Sequence, residues 1–426
     1  MDIPSLHKIF LQSKGVSTDT RKIAPKSIFF ALKGDNFNGN LFTQEALDRG
    51  AFKVIIDEEA QHKSTGETIL VRNVLLTLQQ LAKYHREYLR LPIISLTGSN
   101  GKTTSKELIN AVLSQKFKAV ATQGNLNNHI GVPLTLLTMD QNTEIGIVEM
   151  GANHLGEIKM LSEIAEPDYG YITNFGKAHL EGFGSLEGVI QGKTELYQYL
   201  KKHDKKIFVN ANDPQQLTSS EGISKITFGT AQSDFNIVLK DSSHHLMVEF
   251  DGLEIQSNLV GAYNFANLSA AIAIGAYLEV SPEKIKAGIE GYVPSNNRSQ
   301  LIAKGTNTIL MDAYNANPTS MLAALENFKQ AKGENKIMFL GDMFELGKDA
   351  ESEHQNIVDF LTENPFGTTY LVGSNFYKTS TESSAIKQYE NFNDLEKVLK
   401  QAPSKNATIL IKASRGMALE RILEIL

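Results

Sequence analysis

The chain has 426 residues, with 41% hydrophobic and 21% charged side chains, a balance that excludes a disordered or fibrous protein and leaves material for two or three packed cores. Its 42 basic and 48 acidic groups give a formal charge of -6, which argues against indiscriminate binding along nucleic acid, so anionic ligands must be captured by local sites. No cysteine occurs, which excludes disulfides and thiolate chemistry, and no apolar run approaches the roughly 18 residues of a membrane span, so a cytoplasmic protein without membrane insertion is expected.

In chain order, strand-like runs at Ser27 to Leu32 and Lys53 to Asp57 mix with helical stretches at Phe42 to Arg49 and Leu75 to Tyr88. They predict a small α/β domain over residues 1–88. The periodicity changes at Leu89 to Pro92, where proline disfavours helix in the residue before it. From Ile93 to Thr97, Thr103 to Leu113, Ile145 to Met150 and Tyr169 to Asn174, apolar runs alternate with amphipathic stretches, which predicts a mainly parallel sheet covered by helices over residues 89–297. A fresh set follows: Asn307 to Asp312, Pro318 to Lys329, Lys336 to Gly341, Ser352 to Leu361, Thr369 to Gly373 and Ala407 to Lys412. It predicts a Rossmann-like domain over residues 298–426, completing an α/β chain of three domains.

The strongest local signal follows the first central strand: Thr97-Gly98-Ser99-Asn100-Gly101-Lys102-Thr103-Thr104. Glycines let the backbone turn so that successive N–H groups and a helix N-terminus converge on phosphate oxygens; Lys102 adds a positive charge and Thr103 a hydroxyl for magnesium. Leu96 stands where the common phosphate-loop pattern has its first glycine, so a plain strand-to-helix turn remains the bland alternative.

This segment is very similar to the ATP loop of the Mur ligase superfamily, which also includes folylpolyglutamate synthetases. Further segments resemble that superfamily: Gly124-Asn125-Leu126-Asn127-Asn128-His129-Ile130-Gly131, Glu149-Met150-Gly151-Ala152 and Thr173-Asn174-Phe175-Gly176-Lys177-Ala178-His179. Asp312-Ala313-Tyr314-Asn315-Ala316-Asn317-Pro318 and Gly341-Asp342-Met343-Phe344-Glu345-Leu346-Gly347 resemble signatures of its D-alanyl-D-alanine-adding branch. The resemblance implies a UDP-binding first domain, a central phosphate-loop ATPase domain, and ATP-driven ligation of D-alanyl-D-alanine to UDP-N-acetylmuramoyl-tripeptide through an acyl phosphate. It also implies a monomer and two magnesium ions.

By the same resemblance Gly98, Asn100, Gly101, Lys102, Thr103, Thr104, Asn264, Asn267, Arg298 and Asp312 bind the nucleotide, with Lys102, His179 and Lys193 in catalytic roles. Thr103, Glu149, His179 and Lys193 hold magnesium, Lys193 as a carbamate formed with carbon dioxide. Thr18, Asp19, Thr20 and Arg21 contact the uridine end, Asn127 and Asn128 the muramoyl peptide, and Asn315 and Asn317 the dipeptide, beside the Asp342 to Gly347 loop. Tyr263 replaces the family's usual histidine. Lys412 to Gly416 closes the last strand and is expected either to meet a carboxylate or to form a capped turn.

Blander readings stand beside these. Glu149 could cap a helix or form a salt bridge, His179 could be a structural hydrogen-bonding group, and Lys193 could lie on a solvated helical face. Arg298 and Asp312 could form interdomain salt bridges, and Thr18 to Arg21 a turn or helix cap. At the level of the whole chain, the alternatives are another amino-acid-adding ligase of the superfamily, a nucleotide-gated binding protein, or a kinase. Short linkers predict hinge closure of the third domain around ATP.

Overall fold

The computed structural model describes residues 1–426 except 231, 296, 334, 402 and 403. Three sheets dominate it. The first is a parallel four-stranded sheet in the order Val16–Ser17, Ile28–Phe30, Lys53–Ile56 and Thr68–Leu70. The central sheet has seven strands, all parallel, in the order Phe235–Asn236, Lys225–Gly229, Lys206–Asn210, Tyr169–Ile172, Ile93–Thr97, Ile145–Glu149 and Ala119–Ala121. The third has six: Gln300–Lys304, Asn307–Asp312, Thr408–Lys412, Lys336–Gly341, Thr368–Val372 and Ile386–Tyr389.

Burial on both faces explains why the central strands read as continuous apolar runs instead of alternating ones. Ile94 and Leu96 pack with Leu108, Ile109 and Leu268 from helices Lys102–Leu113 and Phe265–Tyr277. Ile93 faces the opposite core, with Leu81, Leu161 and Leu196 from helices Val74–Leu89, Glu157–Ala165 and Leu186–Lys202. Strand Ile93–Thr97 is flanked by strands that come later in sequence, so the chain switches direction there, and the crevice at the carboxyl edge of such a point is where open α/β sheets take ligands.

Several elements depart from expectation. Helix Val74–Leu89 runs through the residue where a linker was expected to begin, and it ends because Arg90 turns into the left-handed region at φ 54°. That helix is tied to the central domain: Arg86 donates to the carbonyls of Ala165 and Glu166 and to Asp168 at 2.8 Å. An antiparallel sheet of Val238–Asp241, His245–Phe250 and Leu253–Val260 was not anticipated, although its middle strand alternates between partly and fully buried residues, the period of a half-covered strand. Gln300–Lys304 likewise joins the third sheet as an antiparallel edge. Among the described residues, no helix is long and apolar enough to cross a membrane.

Candidate active site

The strand Ile93–Thr97 ends in a loop whose backbone is held from below by the segment after the neighbouring strand. Ser99 N–H donates to the Asn174 carbonyl at 3.1 Å and Asn100 N–H to Asn174 Oδ1 at 3.0 Å. The Asn100 carbonyl accepts from Thr173 Oγ1 at 2.6 Å and Asn174 Nδ2 at 3.0 Å. Ser99 Oγ donates to the Gly176 carbonyl at 2.9 Å and accepts from Gly176 N–H at 2.9 Å. Gly98, at φ 144°, leaves no room for a side chain: a Cβ there would stand 2.0 Å from Thr173 Oγ1. Gly101, at φ 78°, caps the helix Lys102–Leu113, and a Cβ would stand 2.4 Å from Asn267 Oδ1. Thr103 and Thr104 lie in the first turn of that helix. Lys102 Nζ folds back onto the carbonyls of Gly98 at 2.6 Å and Ser99 at 3.2 Å, and burial pushes its ammonium below the ordinary lysine range.

Beyond the loop opens a cavity of about 630 Å³ lined by Asn100, Lys102, Thr103, Asn127, Glu149 and His179 from the central domain and by Arg298, Asp312, Tyr314, Asn315 and Asn317 from the third. Glu149 ends its strand as the register partner of Leu96, which stands it beside the phosphate loop. It is 1% exposed; Oε1 accepts from Asn127 Nδ2 at 2.7 Å, while Oε2 is buried without a partner. An unpaired buried oxygen costs about 1–3 kcal/mol, so the bland reading of Glu149 as a satisfied cap or salt bridge does not account for it. Asn128 lines the cavity too, but its Oδ1 accepts from Ile130 and Gly131 N–H groups and braces the following helix.

Lys193 is not on a solvated face. It is fully buried beneath the cavity lining, with Nζ donating to the Ala152 carbonyl at 3.0 Å and lying 5.0 Å from the Phe183 ring centre. Burial, then the nearby Lys102 charge, push this amine well below the ordinary lysine range. His179 sits in the left-handed region at φ 54°, with its Nδ1 against the carboxylate of Glu345, which crosses from the third domain. That contact holds the Glu345 carboxyl below its usual range.

On the third-domain side, Asp312 and Lys412 are register partners at the ends of adjacent parallel strands, and their side chains pair at 2.5 Å. Asp312 therefore pairs within its own domain, not across an interface. Arg298 lies 3.6 Å over the centre of the Tyr314 ring, with its Nε buried and unpartnered. Asn264 and Asn267 line the cavity, yet their amides are spent on protein: Asn267 Nδ2 donates to Asn264 Oδ1 at 2.9 Å and its Oδ1 accepts from Ser105 Oγ, while Asn264 Nδ2 donates to the Val260 carbonyl. Tyr263, which stands in place of the family's usual histidine, shares a hydrogen bond with Ser299 Oγ at 3.0 Å. The Asp342 carboxylate accepts from Asn375 and Phe376 N–H groups and so caps a short helix, turning away from any ligand role.

Thr18, Asp19, Thr20 and Arg21 are not brought to this cavity. Asp19 caps the short helical turn Thr20–Lys22 and pairs with Arg21 at 2.9 Å through both nitrogens, Nε and Nη2, with the Arg21 side chain 82% exposed. Sequence reasoning passed over Thr173, Ser99 and Glu345 as individual residues. The signal for the first two was the small polar cluster on either side of the loop; Glu345 carried none, because its partner lies 166 positions away in another domain.

Comparison with known proteins agrees with this geometry. Residues 96–275 match the Mur ligase middle domain and residues 297–415 the Mur ligase, glutamate ligase domain. A Bacillus subtilis protein named UDP-N-acetylmuramoyl-tripeptide–D-alanyl-D-alanine ligase is 37% identical over 423 residues, covering 96% of this chain and 92% of that one. A crystal structure of MurF from Acinetobacter baumannii aligns with TM-score 0.86 at 28% identity, over 98% of this chain and 97% of that one. MurF ligase from Thermotoga maritima in complex with ADP aligns with TM-score 0.84 at 25% identity, over 97% of each. Over 96% of its length, then, the chain matches a Mur ligase, and it belongs to the Mur ligase family.

Proposed function

We propose that the chain joins D-alanyl-D-alanine to UDP-N-acetylmuramoyl-tripeptide, converting ATP to ADP and phosphate, and that within the Mur ligase family it stands with the MurF group, as the names of its full-length relatives suggest. The observation that carries the reading is the cavity itself: a phosphate loop opens into it from one domain, and Arg298, Asp312 and Asn315 enter it from another. Such a chamber can bring together three reactants that each carry phosphate or carboxylate groups.

A carboxylate is a poor electrophile. The γ-phosphoryl group therefore passes to the tripeptide's terminal carboxylate, forming an O–P bond as the bond to ADP breaks. The dipeptide amine then attacks the acyl carbon, loses a proton, and the carbon–oxygen bond to phosphate breaks as the amide forms. Positioning and neutralisation of charge are the protein's share. Gly98, Asn100, Gly101, Thr103 and Thr104 surround the phosphates. Lys102 leaves the loop carbonyls for a phosphate oxygen, and Arg298 and Asp312 hold the nucleotide from the third domain. Asn127 and Asn128 face the tripeptide, and Asn315 the dipeptide amine. Thr18 to Arg21 hold the uridine end in the first domain, away from the reacting atoms.

The donors present fit magnesium. Glu149 offers a buried oxygen without a partner and lines the same cavity as Thr103, whose hydroxyl is a second hard oxygen donor of the kind this cation prefers. His179 and a carbamate on Lys193 would hold a second. Among the described residues no three His, Asp or Glu side chains converge on one point, so water or phosphate oxygens would complete either shell. Bound magnesium neutralises the phosphate charge that would otherwise repel the carboxylate. The depressed Lys193 amine favours the carbamate, because only the uncharged amine attacks carbon dioxide, forming a nitrogen–carbon bond as it sheds a proton.

The expected division at 88/89 falls within the last turn of helix Val74–Leu89, so the first boundary is drawn at the left-handed turn of Arg90, and the second stays at 297/298 beside the left-handed turn of Asn297. A monomer is carried by the family resemblance alone, and both nucleotides are intracellular, which supports a cytoplasmic location. Mass spectrometry of products from ATP, the dipeptide and UDP-muramoyl-tripeptide tests the whole reading. An amide-linked pentapeptide with ADP and phosphate is expected. A phosphorylated product without amide would make the chain a kinase.

A further inference from the structure

Asn317 was expected to touch the dipeptide, but both ends of its amide are engaged. It is the N-cap of helix Pro318–Gln330: its Oδ1 accepts from Ser320 N–H at 2.9 Å. A backbone N–H is an obligate donor, so the oxygen of the Asn317 amide must face the helix and its nitrogen must face away. That nitrogen donates to Asn100 Oδ1 at 2.7 Å, across the boundary between the third domain and the phosphate loop.

The consequence falls on Asn100. Its backbone N–H and carbonyl are already pinned by Asn174 and Thr173, so the side chain is held at the domain boundary and only the sense of its amide is left to be set. With Oδ1 claimed by Asn317, the other end of the Asn100 amide is Nδ2, a donor, and it is buried with no partner. Amide ends are assigned from their hydrogen-bond networks, and here the network begins at a group of fixed polarity. The docking is braced nearby, where Lys177 N–H donates to Thr319 Oγ1 at 3.0 Å and Lys177 Nζ to Glu353 at 2.6 Å.

We propose that Asn317 is a positioning residue for Asn100: when the third domain docks, the helix cap fixes the polarity of two amides in series, so that the phosphate loop presents a donor to nucleotide oxygens. This rests on the ligase reading and reassigns Asn317 within it. An open third domain frees the Asn100 amide to turn, which ties a productive loop to domain closure.

The test compares N317D and N317S, each of which retains a capping oxygen. N317D places an acceptor against Asn100 Oδ1, so the Asn100 amide turns and offers its oxygen to phosphate; N317S only removes the donor. Expected are a kcat at least about tenfold below wild type for N317D, a smaller loss for N317S, and a dipeptide KM within about twofold of wild type for both. In an N100A background the two substitutions become equivalent, because the group they act through is gone. Binding of a non-hydrolysable ATP analogue, followed by calorimetry with both acceptor substrates present, should weaken in the same order. A raised dipeptide KM at unchanged kcat, or an N317D loss that persists in full in N100A, would overturn the proposal. Wild-type protein that forms no amide would instead remove the ligase reading.

Discussion

The phosphate-loop cavity and the Thr18 to Arg21 turn contain similar residue types, yet they are built on opposite principles. In the cavity the polar groups are buried and some are left wanting: Glu149 Oε2, Asn100 Nδ2 and Arg298 Nε have no partner. In the turn, Asp19 and Arg21 satisfy each other at the surface. Leaving a buried polar group unpaired costs stability, whereas an exposed ion pair contributes at most about 1 kcal/mol. The cavity is therefore a place where stability has been given up for a ligand, and the turn is one where nothing has. Changes in the cavity should act on the chemical step and changes in the turn on the hold of a distant substrate end.

The largest effect should come from K102A. With no ammonium to leave the Gly98 carbonyl for phosphate, amide formation is expected to fall by roughly a thousandfold, measured as pentapeptide produced per enzyme, while the melting temperature changes little because the side chain is only partly buried. Next is G98A, whose new Cβ would meet Thr173 Oγ1 and displace the loop; a shift of about 1 Å should cost about a hundredfold in kcat/KM, and calorimetry should show weaker ADP binding. E345Q removes the charge facing His179, and a loss of about tenfold in kcat with an expanded scattering radius would mark that contact as part of closure. At the small end, R21A should raise the KM for the UDP-linked substrate a few-fold at unchanged kcat, the signature of binding shared equally by ground and transition states. A fall in kcat for R21A would erase the distinction between the two regions.

One pH effect belongs to neither. His7 and His85 are buried together, His7 Nε2 lying 2.9 Å from His85 Nδ1, and His85 Nε2 donates to the Met139 carbonyl at 2.9 Å. Burial, then the neighbouring His85, press His7 down to about 4. The unfolded chain binds the proton more readily, so this contribution to stability is fully present above about pH 6.5 and is lost as pH falls from there through 4. Chemical denaturation at pH 7 and pH 5 should show that loss, and H7F should reduce it.

Much of this was legible in the sequence because the signals were local. The apolar run Ile93 to Thr97, its glycine turn and the helix after it needed no distant residue to be read, and the ends of Asn307–Asp312 and Lys336–Gly341 fall where the pattern places them. What was not legible depended on other elements. For Lys193 the sequence left a solvated helical face open beside the carbamate reading, and only the packing of helix Leu186–Lys202, which buries the side chain, removes that alternative. Asp342, within a family signature, is spent on capping Ser374–Tyr377, a helix too short to foresee. The roles of Asn317 and Glu345 exist only when two domains meet. Period-two burial in His245–Phe250 was present in the sequence but overshadowed by the stronger alternation around it.

Main-chain amides from Gly101 to Thr103, at the N-terminus of helix Lys102–Leu113, are expected to cradle the triphosphate, because those of Ser99 and Asn100 already bond to Asn174. A crystal structure with a non-hydrolysable ATP analogue and magnesium tests it most directly. Expected are the β- and γ-phosphates within hydrogen-bond distance of those amides, Lys102 Nζ released from the Gly98 carbonyl, and a cation against Glu149. Triphosphate bound elsewhere, with Lys102 still folded onto its own loop, would contradict it.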